Sequence, residues 1–151
     1  MELPLFEQVG EVTKSLLPEE LGTVRFRAHR RGVKVWLGSE KPSRDHFEAQ
    51  FVPRRFVDGR DGAVLEVGFH AEHGDPDVND ATLAALVAVE PQWRRGLGPE
   101  AETGPFLGQA DWRRISEVWF DADPDDPDLA FEVGSRLADY ITQLAPHLPD
   151  G

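Results

Sequence analysis

The chain has 151 residues, of which 40% are hydrophobic and 29% charged, a composition typical of folded globular proteins and not of disordered ones. Its formal net charge of -12 argues against a nucleic acid as the main partner, because phosphate backbones are bound by clustered Lys and Arg. It contains no cysteine, which excludes disulfides, thiolate metal sites and cysteine nucleophiles. No apolar run approaches membrane-spanning length, so we expect a single cytoplasmic domain over residues 1–151.

The first half of the chain predicts one helix followed by strands. Apolar residues recur at helical spacing near residues 4–17, and Pro18 and Gly22 then end the helix. Between residues 23 and 72 the pattern changes to alternation of apolar and polar residues, which is typical of strands that bury one face. Four such runs joined by short connections predict an antiparallel four-strand meander.

The second half predicts two further helices and one strand. A helix near residues 80–96 follows a turn in which Asn79 or Asp80 is placed to cap it, and Pro91 either bends this helix or begins a second short one. The stretch 99–108 is typical of a loop. A fifth strand is predicted near 113–120, and the clearest helix of the chain near 127–145. This order predicts an α+β protein with a mainly antiparallel sheet of about five strands and the helices packed on one face.

The last strand of the meander, AVLEVGFHA, carries the groups best suited to chemistry. Its alternation places Glu66, His70 and the following Glu72 on the polar face. If the preceding strand pairs with it, His46 and Glu48 lie on that same face. Imidazoles and carboxylates are suitable ligands for zinc or another divalent metal, and together they can also act as a general base. The alternative is that the solvated face of a sheet carries polar residues by default.

The neighbouring hairpin predicts basic residues beside this face. Arg25 and Arg27 are candidate contacts for a carboxylate or phosphate, and Trp36 is a candidate stacking wall for the same ligand. Ion pairs between adjacent strands explain these residues equally well without a ligand.

An acidic loop near the C-terminal helix offers a candidate calcium site. Asp121, Asp123, Asp125 and Glu132 match the spacing of ligands 1, 3, 5 and 12 of a calcium-binding loop. The sixth position of such a loop needs glycine for its turn and is Asp126 here. Helix capping and the helix dipole account for the same acidic residues without a metal.

No specific functional motif is present, since no glycine-rich phosphate loop follows a strand and no serine lies in a GxSxG turn. The first hypothesis is a non-catalytic binding or interaction domain, a dimeric chaperone-like or adaptor protein whose partner is another protein or a second copy of itself. In element order alone the chain is similar to dimeric secretion-type chaperones. The alternative is a metal-dependent hydrolase or small-anion-binding enzyme with its His/Glu site on the open sheet face. No nucleic acid, membrane or cofactor is expected under the first hypothesis, which predicts no tightly bound metal, whereas the metal-dependent form of the alternative requires a divalent metal.

Overall fold

The structure is a computed structural model that describes residues 3–149. It has an α+β fold with one antiparallel sheet in the order β1-β2-β3-β4-β6-β5. The strands are β1 (Val24–His29), β2 (Gly32–Leu37), β3 (Asp45–Pro53), β4 (Ala63–Ala71), β5 (Glu102–Phe106) and β6 (Gln109–Trp119). The helices are α1 (Leu5–Leu16), α2 (Arg55–Asp58), α3 (Pro76–Ala88), α4 (Glu90–Leu97) and α5 (Leu129–Leu144), with single 3-10 turns at Glu19–Leu21 and Ala145–His147.

The predicted α+β class and four-strand meander are confirmed, and the second half of the chain needs corrections. The stretch predicted as a loop contains β5, which pairs with β6 through Glu102 opposite Ser116. The region predicted as helical near 80–96 forms two helices, the second of which begins beside Pro91 as one of the two alternatives expected. The cap of the first helix is not Asn79 or Asp80 but Asp75, whose carboxylate accepts a hydrogen bond from the Asp77 N–H at 2.9 Å. Asp and Asn residues crowd this turn, so composition alone did not identify the capping residue.

One face of the sheet forms the core beneath the helices. The apolar members of the alternating pattern on β4, Leu65, Val67 and Phe69, are fully buried together with residues of α1, α4 and α5. Burial of this apolar surface is the main stabilising contribution to such a fold. Within residues 3–149, no helix combines the length and apolar character needed to span a bilayer.

The opposite, polar face of β4 is also covered. The ring of Phe106, at the end of β5, packs edge-on against His70 with centroids 4.5 Å apart, and Trp112 packs against Phe106 in turn. Strand β6 comes especially close at Gly68, where an added Cβ atom would lie 2.3 Å from the Ile115 carbonyl oxygen. Only glycine fits there, and its small size lets Ser116 approach the polar side chains of β4.

Candidate metal centre

The polar side chains that the sequence placed on one face meet in the β3–β4 hairpin. His46 lies directly opposite His70 in the antiparallel register, and Glu48 lies opposite Gly68. Glu72 follows the end of β4, where its N–H donates to the Arg44 carbonyl at 2.9 Å and so continues the pairing. Because these residues alternate along the two strands, their side chains converge on the same surface of the sheet.

Burial distinguishes this group from an ordinary polar sheet face. The exposed fractions are 2% for His46, 4% for Glu48, 0% for Glu66 and His70, and 7% for Glu72. The alternating sequence pattern predicts an open, solvated sheet face here, and that prediction is wrong for these five side chains. For His70 the physical reason is the cover from Phe106, on a strand that the sequence pattern did not reveal.

Four ligand atoms form a compact centre, which we call the metal-candidate cluster: His46 Nε2, His70 Nδ1, Glu48 Oε1 and Glu72 Oε2. His46 Nε2 lies 3.0 Å from Glu48 Oε1 and 3.2 Å from Glu72 Oε2. His70 Nδ1 lies 3.3 Å and 3.1 Å from the same two oxygens. Each imidazole nitrogen therefore faces two carboxylates at nearly equal distances.

The other nitrogen of each imidazole has an acceptor outside the cluster. His70 Nε2 lies 3.0 Å from Glu66 Oε2, and His46 Nδ1 lies 2.9 Å from the Ser43 carbonyl oxygen. A neutral imidazole that donates its one N–H outward presents a lone pair inward. Metal-binding histidines are held in this way, with the second nitrogen donating to a carboxylate or a carbonyl.

Glu66 supports His70 from a fully buried position. Its Oε2 atom also accepts a hydrogen bond from Ser116 Oγ at 2.7 Å, and its Oε1 atom accepts one from Gln50 Nε2 at 2.9 Å. Both oxygens of this carboxylate are thus satisfied, which offsets part of the cost of burying its charge. The network fixes the direction in which His70 points.

The electrostatics of the metal-candidate cluster favour charged side chains. Burial acts to lower the pKa of His70, but Glu66 and hydrogen bonds to Glu48 and Glu72 outweigh it and raise that pKa well above its usual value. The pKa of His46 is raised in the same way, with hydrogen bonds to Glu48 and Glu72 overcoming burial.

The glutamates respond in the opposite sense. Burial acts to raise the pKa of Glu48, but hydrogen bonds from His46 and His70 lower it to about 2. The pKa values of Glu66 and Glu72 are also lowered against the effect of burial, chiefly by His70 for Glu66 and by His46 for Glu72. Without a metal, these carboxylates need positively charged imidazoles as partners.

The candidate anion contacts lie on one face of the β1–β2 hairpin, where Arg25 is the register partner of Trp36. Arg27 lines a cavity of about 420 Å³ that reaches His46 and Glu72. Arg25 is exposed, with its Nε donating to the Gly38 carbonyl at 3.4 Å. Trp36 is buried, and its indole N–H donates to the Ser39 carbonyl at 2.7 Å, so its ring offers little free surface for stacking.

The candidate calcium residues remain spread along the acidic loop and into α5. Asp123 Oδ1 accepts a hydrogen bond from the Asp125 N–H at 2.9 Å, and Glu132 lies in the first turn of α5. Asp121 follows the end of β6 and lines one cavity of about 270 Å³ together with Asp123 and Glu132. Across residues 3–149, the one group of three or more His, Asp or Glu side chains close enough to hold a metal ion is the metal-candidate cluster.

Several residues that support or balance the buried charges are not recognisable from the sequence pattern. Ser43 offers only its backbone, and Ser116 lies on a strand whose inner face the pattern did not settle. A further buried glutamate, Glu117, lies on the helix-covered face and accepts a hydrogen bond from Tyr140 Oη at 2.8 Å. Its alternation with Ile115 and Trp119 was the available signal for that position.

Comparisons with protein-family models, with curated proteins and with solved structures found no match. The chemistry of this centre is therefore inferred from its own geometry.

Proposed function

We propose that this protein is a non-catalytic binding domain that holds one divalent metal ion, with zinc the best-suited candidate. His46, Glu48, His70 and Glu72 each supply one ligand atom. The observation that carries the proposal is that each inward-facing imidazole nitrogen lies between two carboxylate oxygens at 3.0–3.3 Å. A proton on that nitrogen would be shared between two acceptors, whereas an ion at the centre satisfies all four atoms together.

The spacing of the four atoms suits a tetrahedral ion. Zinc binds imidazole nitrogen and carboxylate oxygen at about 2.0 to 2.1 Å, so the edges of its tetrahedron measure about 3.3 Å. Four edges of the cluster are 3.0–3.3 Å long, and all four ligand atoms lie within 4.8 Å of one another.

The charge balance also supports a divalent ion. Three buried glutamates face two imidazoles, and Lys34 Nζ lies 3.8 Å from Glu72 Oε1 at the edge of the group. One divalent ion with neutral imidazoles carries the same total charge as two imidazolium ions without a metal. Metal and protons therefore compete for the same two nitrogen atoms.

The number of protein ligands supports a non-catalytic role. Structural zinc sites have four protein ligands, while catalytic sites keep one position for water or substrate. Here four buried side chains surround the centre, and Glu66 holds one of them from behind. Such an ion would stabilise the β3–β4 hairpin and shape the surface beside it.

The direct test is to measure metal content and zinc affinity in the purified protein, in His70→Gln and in a matched control, His73→Gln. His73 follows the same strand but pairs with Asp45 outside the cluster, at 2.9 Å. We expect one zinc ion per chain, loss of binding in His70→Gln and unchanged binding in His73→Gln. His46→Gln provides a second ligand variant if His70→Gln fails to fold, as judged by circular dichroism.

Three results would overturn the metal proposal. They are the absence of binding by zinc, manganese, cobalt and nickel alike, equal zinc affinity in the folded His46→Gln or His70→Gln variant, and loss of binding in the His73→Gln control. A thermal unfolding temperature that is insensitive to zinc would agree with the first of these results.

The second candidate function is a metal-dependent hydrolase with the same ligands. The favouring observation is that His46 and Glu72 line the cavity of about 420 Å³, so a ligand could reach that edge of the centre. Zinc-dependent hydrolysis of p-nitrophenyl acetate or p-nitrophenyl phosphate that disappears in His70→Gln would favour this function over the non-catalytic one.

The partner is a further part of the proposal, either another protein or a second copy of this chain in a homodimer. Exposed aromatic side chains support a protein contact, since Phe131 on α5 is 62% exposed and Phe120 is 45% exposed. Sedimentation over a concentration series would separate dimer from monomer. A cytoplasmic location remains a prediction from the sequence.

A further inference from the structure

We propose that the cavity beside the metal-candidate cluster binds a small phosphorylated molecule. This inference deepens the proposed function and rests on it in one respect, because a bound divalent ion would neutralise the glutamates behind the cavity wall. The phosphoryl group would lie among Arg27, Lys34, Lys41 and Arg44, and the organic part of the molecule would extend toward solvent.

The cavity is built where the β1–β2 hairpin meets the loop that precedes β3. It has a volume of about 420 Å³ and is lined by Arg27, Lys34, Lys41, Pro42, Ser43, Arg44, His46 and Glu72. That volume falls in the range of about 300 to 1,000 Å³ found for small-molecule sites. His46 and Glu72 join this cavity directly to the metal-candidate cluster.

The side chains that line the cavity are mainly cationic, although the chain as a whole is acidic. Four of the lining side chains are cationic and one is a carboxylate, in a protein that has 28 acidic and 16 basic residues. Lys34 pairs weakly with Glu72 at 3.8 Å. Over residues 3–149, the side chains of Arg27, Lys41 and Arg44 make neither an ion pair nor a hydrogen bond.

These cations indicate a ligand that brings negative charge. The like charges around this cavity repel one another. The chain contains many carboxylates that could pair with these cations, but only one of them lines the cavity. Two guanidinium groups can each bind phosphate through paired hydrogen bonds, and lysine supplies point charges for the remaining oxygens. A phosphate dianion carries two negative charges and therefore balances more of the positive charge of these side chains than a single carboxylate does.

The cavity and the metal-candidate cluster share one structural element. The Ser43 carbonyl oxygen lies 2.9 Å from His46 Nδ1, and Ser43 sits between the cavity residues Lys41 and Arg44. A ligand that orders this loop also holds His46 in the orientation that metal binding needs. By thermodynamic linkage, phosphate and zinc should therefore raise each other's affinity by the same factor.

The test is calorimetric titration with phenyl phosphate, using protein loaded with one equivalent of zinc and freed of excess metal. We expect one site, a loss of affinity of about tenfold or more in Arg27→Gln and in Arg44→Gln, and no change in the matched control Arg30→Gln. Arg30 lies in the β1–β2 turn, is exposed and does not line the cavity. Succinate is titrated in parallel as a dicarboxylate.

The outcomes separate this inference from the metal proposal. Zinc binding without phenyl phosphate binding, equal affinity for succinate, or equal losses in Arg30→Gln and Arg27→Gln would each overturn the phosphate site. Phenyl phosphate binding that depends on Arg27 in a protein that fails to bind any metal would retain the phosphate site and overturn the metal proposal alone.

Discussion

The two faces of the sheet each bury a glutamate network, and the networks differ in how their charge is balanced. On the helix-covered face, Glu117 Oε1 accepts hydrogen bonds from Arg136 Nε and Tyr140 Oη, both at 2.8 Å. Arg136 is always charged, so this carboxylate has a permanent cationic partner. Burial and the neighbouring Glu117 raise the pKa of Tyr140, which keeps its hydroxyl protonated and able to donate.

On the polar face, the cationic partners are imidazoles, whose charge depends on pH. Apart from the distant pairing of Lys34 with Glu72 at 3.8 Å, Glu48, Glu66 and Glu72 are balanced when His46 and His70 are protonated or when a metal cation replaces those protons. A buried acid alone therefore does not mark a site, as Glu117 demonstrates. The distinguishing feature is a buried acid whose counter-charge can be exchanged.

The largest difference between the two faces is expected in zinc affinity. It should appear when one buried glutamate on each face is replaced by glutamine. In Glu66→Gln, His70 loses the carboxylate that orients its outward nitrogen, so zinc affinity should fall by about 10- to 100-fold. In Glu117→Gln, the same chemical change occurs away from the cluster, and zinc affinity should remain unchanged. Competition titration with a chromophoric chelator measures both constants.

Protein stability provides the control for this pair of variants. Glu117→Gln leaves Arg136 without its carboxylate and should lower the free energy of unfolding with or without zinc. If the two folded variants lost zinc affinity equally, the loss would come from general destabilisation of the protein. That result would contradict a role of Glu66 in supporting His70.

The next largest difference is expected in the pH dependence of stability. The raised pKa values of His46 and His70 mean that their ion pairs contribute fully below the unfolded value of about 6.5 and are lost as pH rises through the folded values. Metal-free protein should therefore lose up to about 1.4 kcal/mol of unfolding free energy per pH unit for each imidazole above neutrality. Urea unfolding at several pH values in the presence of a chelator measures this slope.

Zinc should reverse that trend, because it replaces the protons on both imidazoles and binds more tightly as pH rises. The stability difference between zinc-loaded and metal-free protein should then widen from about pH 6 to pH 8. On the acid side, the pair contribution of Glu48 should be lost as pH falls from its usual pKa through about 2. Parallel curves with and without zinc would contradict the competition between metal and protons.

The smallest effect is expected from Tyr140→Phe on the helix-covered face. The variant removes one hydrogen bond to Glu117 while Arg136 remains paired, so the free energy of unfolding should fall by about 1 kcal/mol. The loss should be equal with and without zinc, since Tyr140 has no contact with the cluster. A zinc-dependent difference in this loss would show that the two networks are coupled through the sheet.

The sequence predicted the shared face of the cluster because period-two alternation is a strong constraint. Phe47 and Phe69 had to point into the same core, which placed His46 opposite His70 once the two strands paired. The same alternation put Glu66 on that side. Pattern alone was sufficient for these positions because both strands are long and regular.

The burial of the cluster was not predictable, because its cover comes from distant parts of the chain. Phe106 belongs to a strand whose Gly104 and Pro105 are typical of loops, and Ser116 reaches Glu66 across a gap that depends on Gly68. The basic cavity was not predictable for the same reason, since the loop that carries Lys41 has no periodic pattern. Long-range packing, which single-chain periodicity does not encode, decided these features.

Three of the four proposed metal ligands lie on the two strands of one hairpin, with the turn around α2 between them, and the fourth, Glu72, directly follows β4. An ion held there would link β3 to the end of β4 and close a loop. It would lower the conformational entropy of the unfolded chain much as a disulfide does. The chain has no cysteine with which to make a covalent staple. Amide hydrogen exchange in the central strands should then slow on zinc addition, turning the middle of the sheet into the last part of the molecule to open.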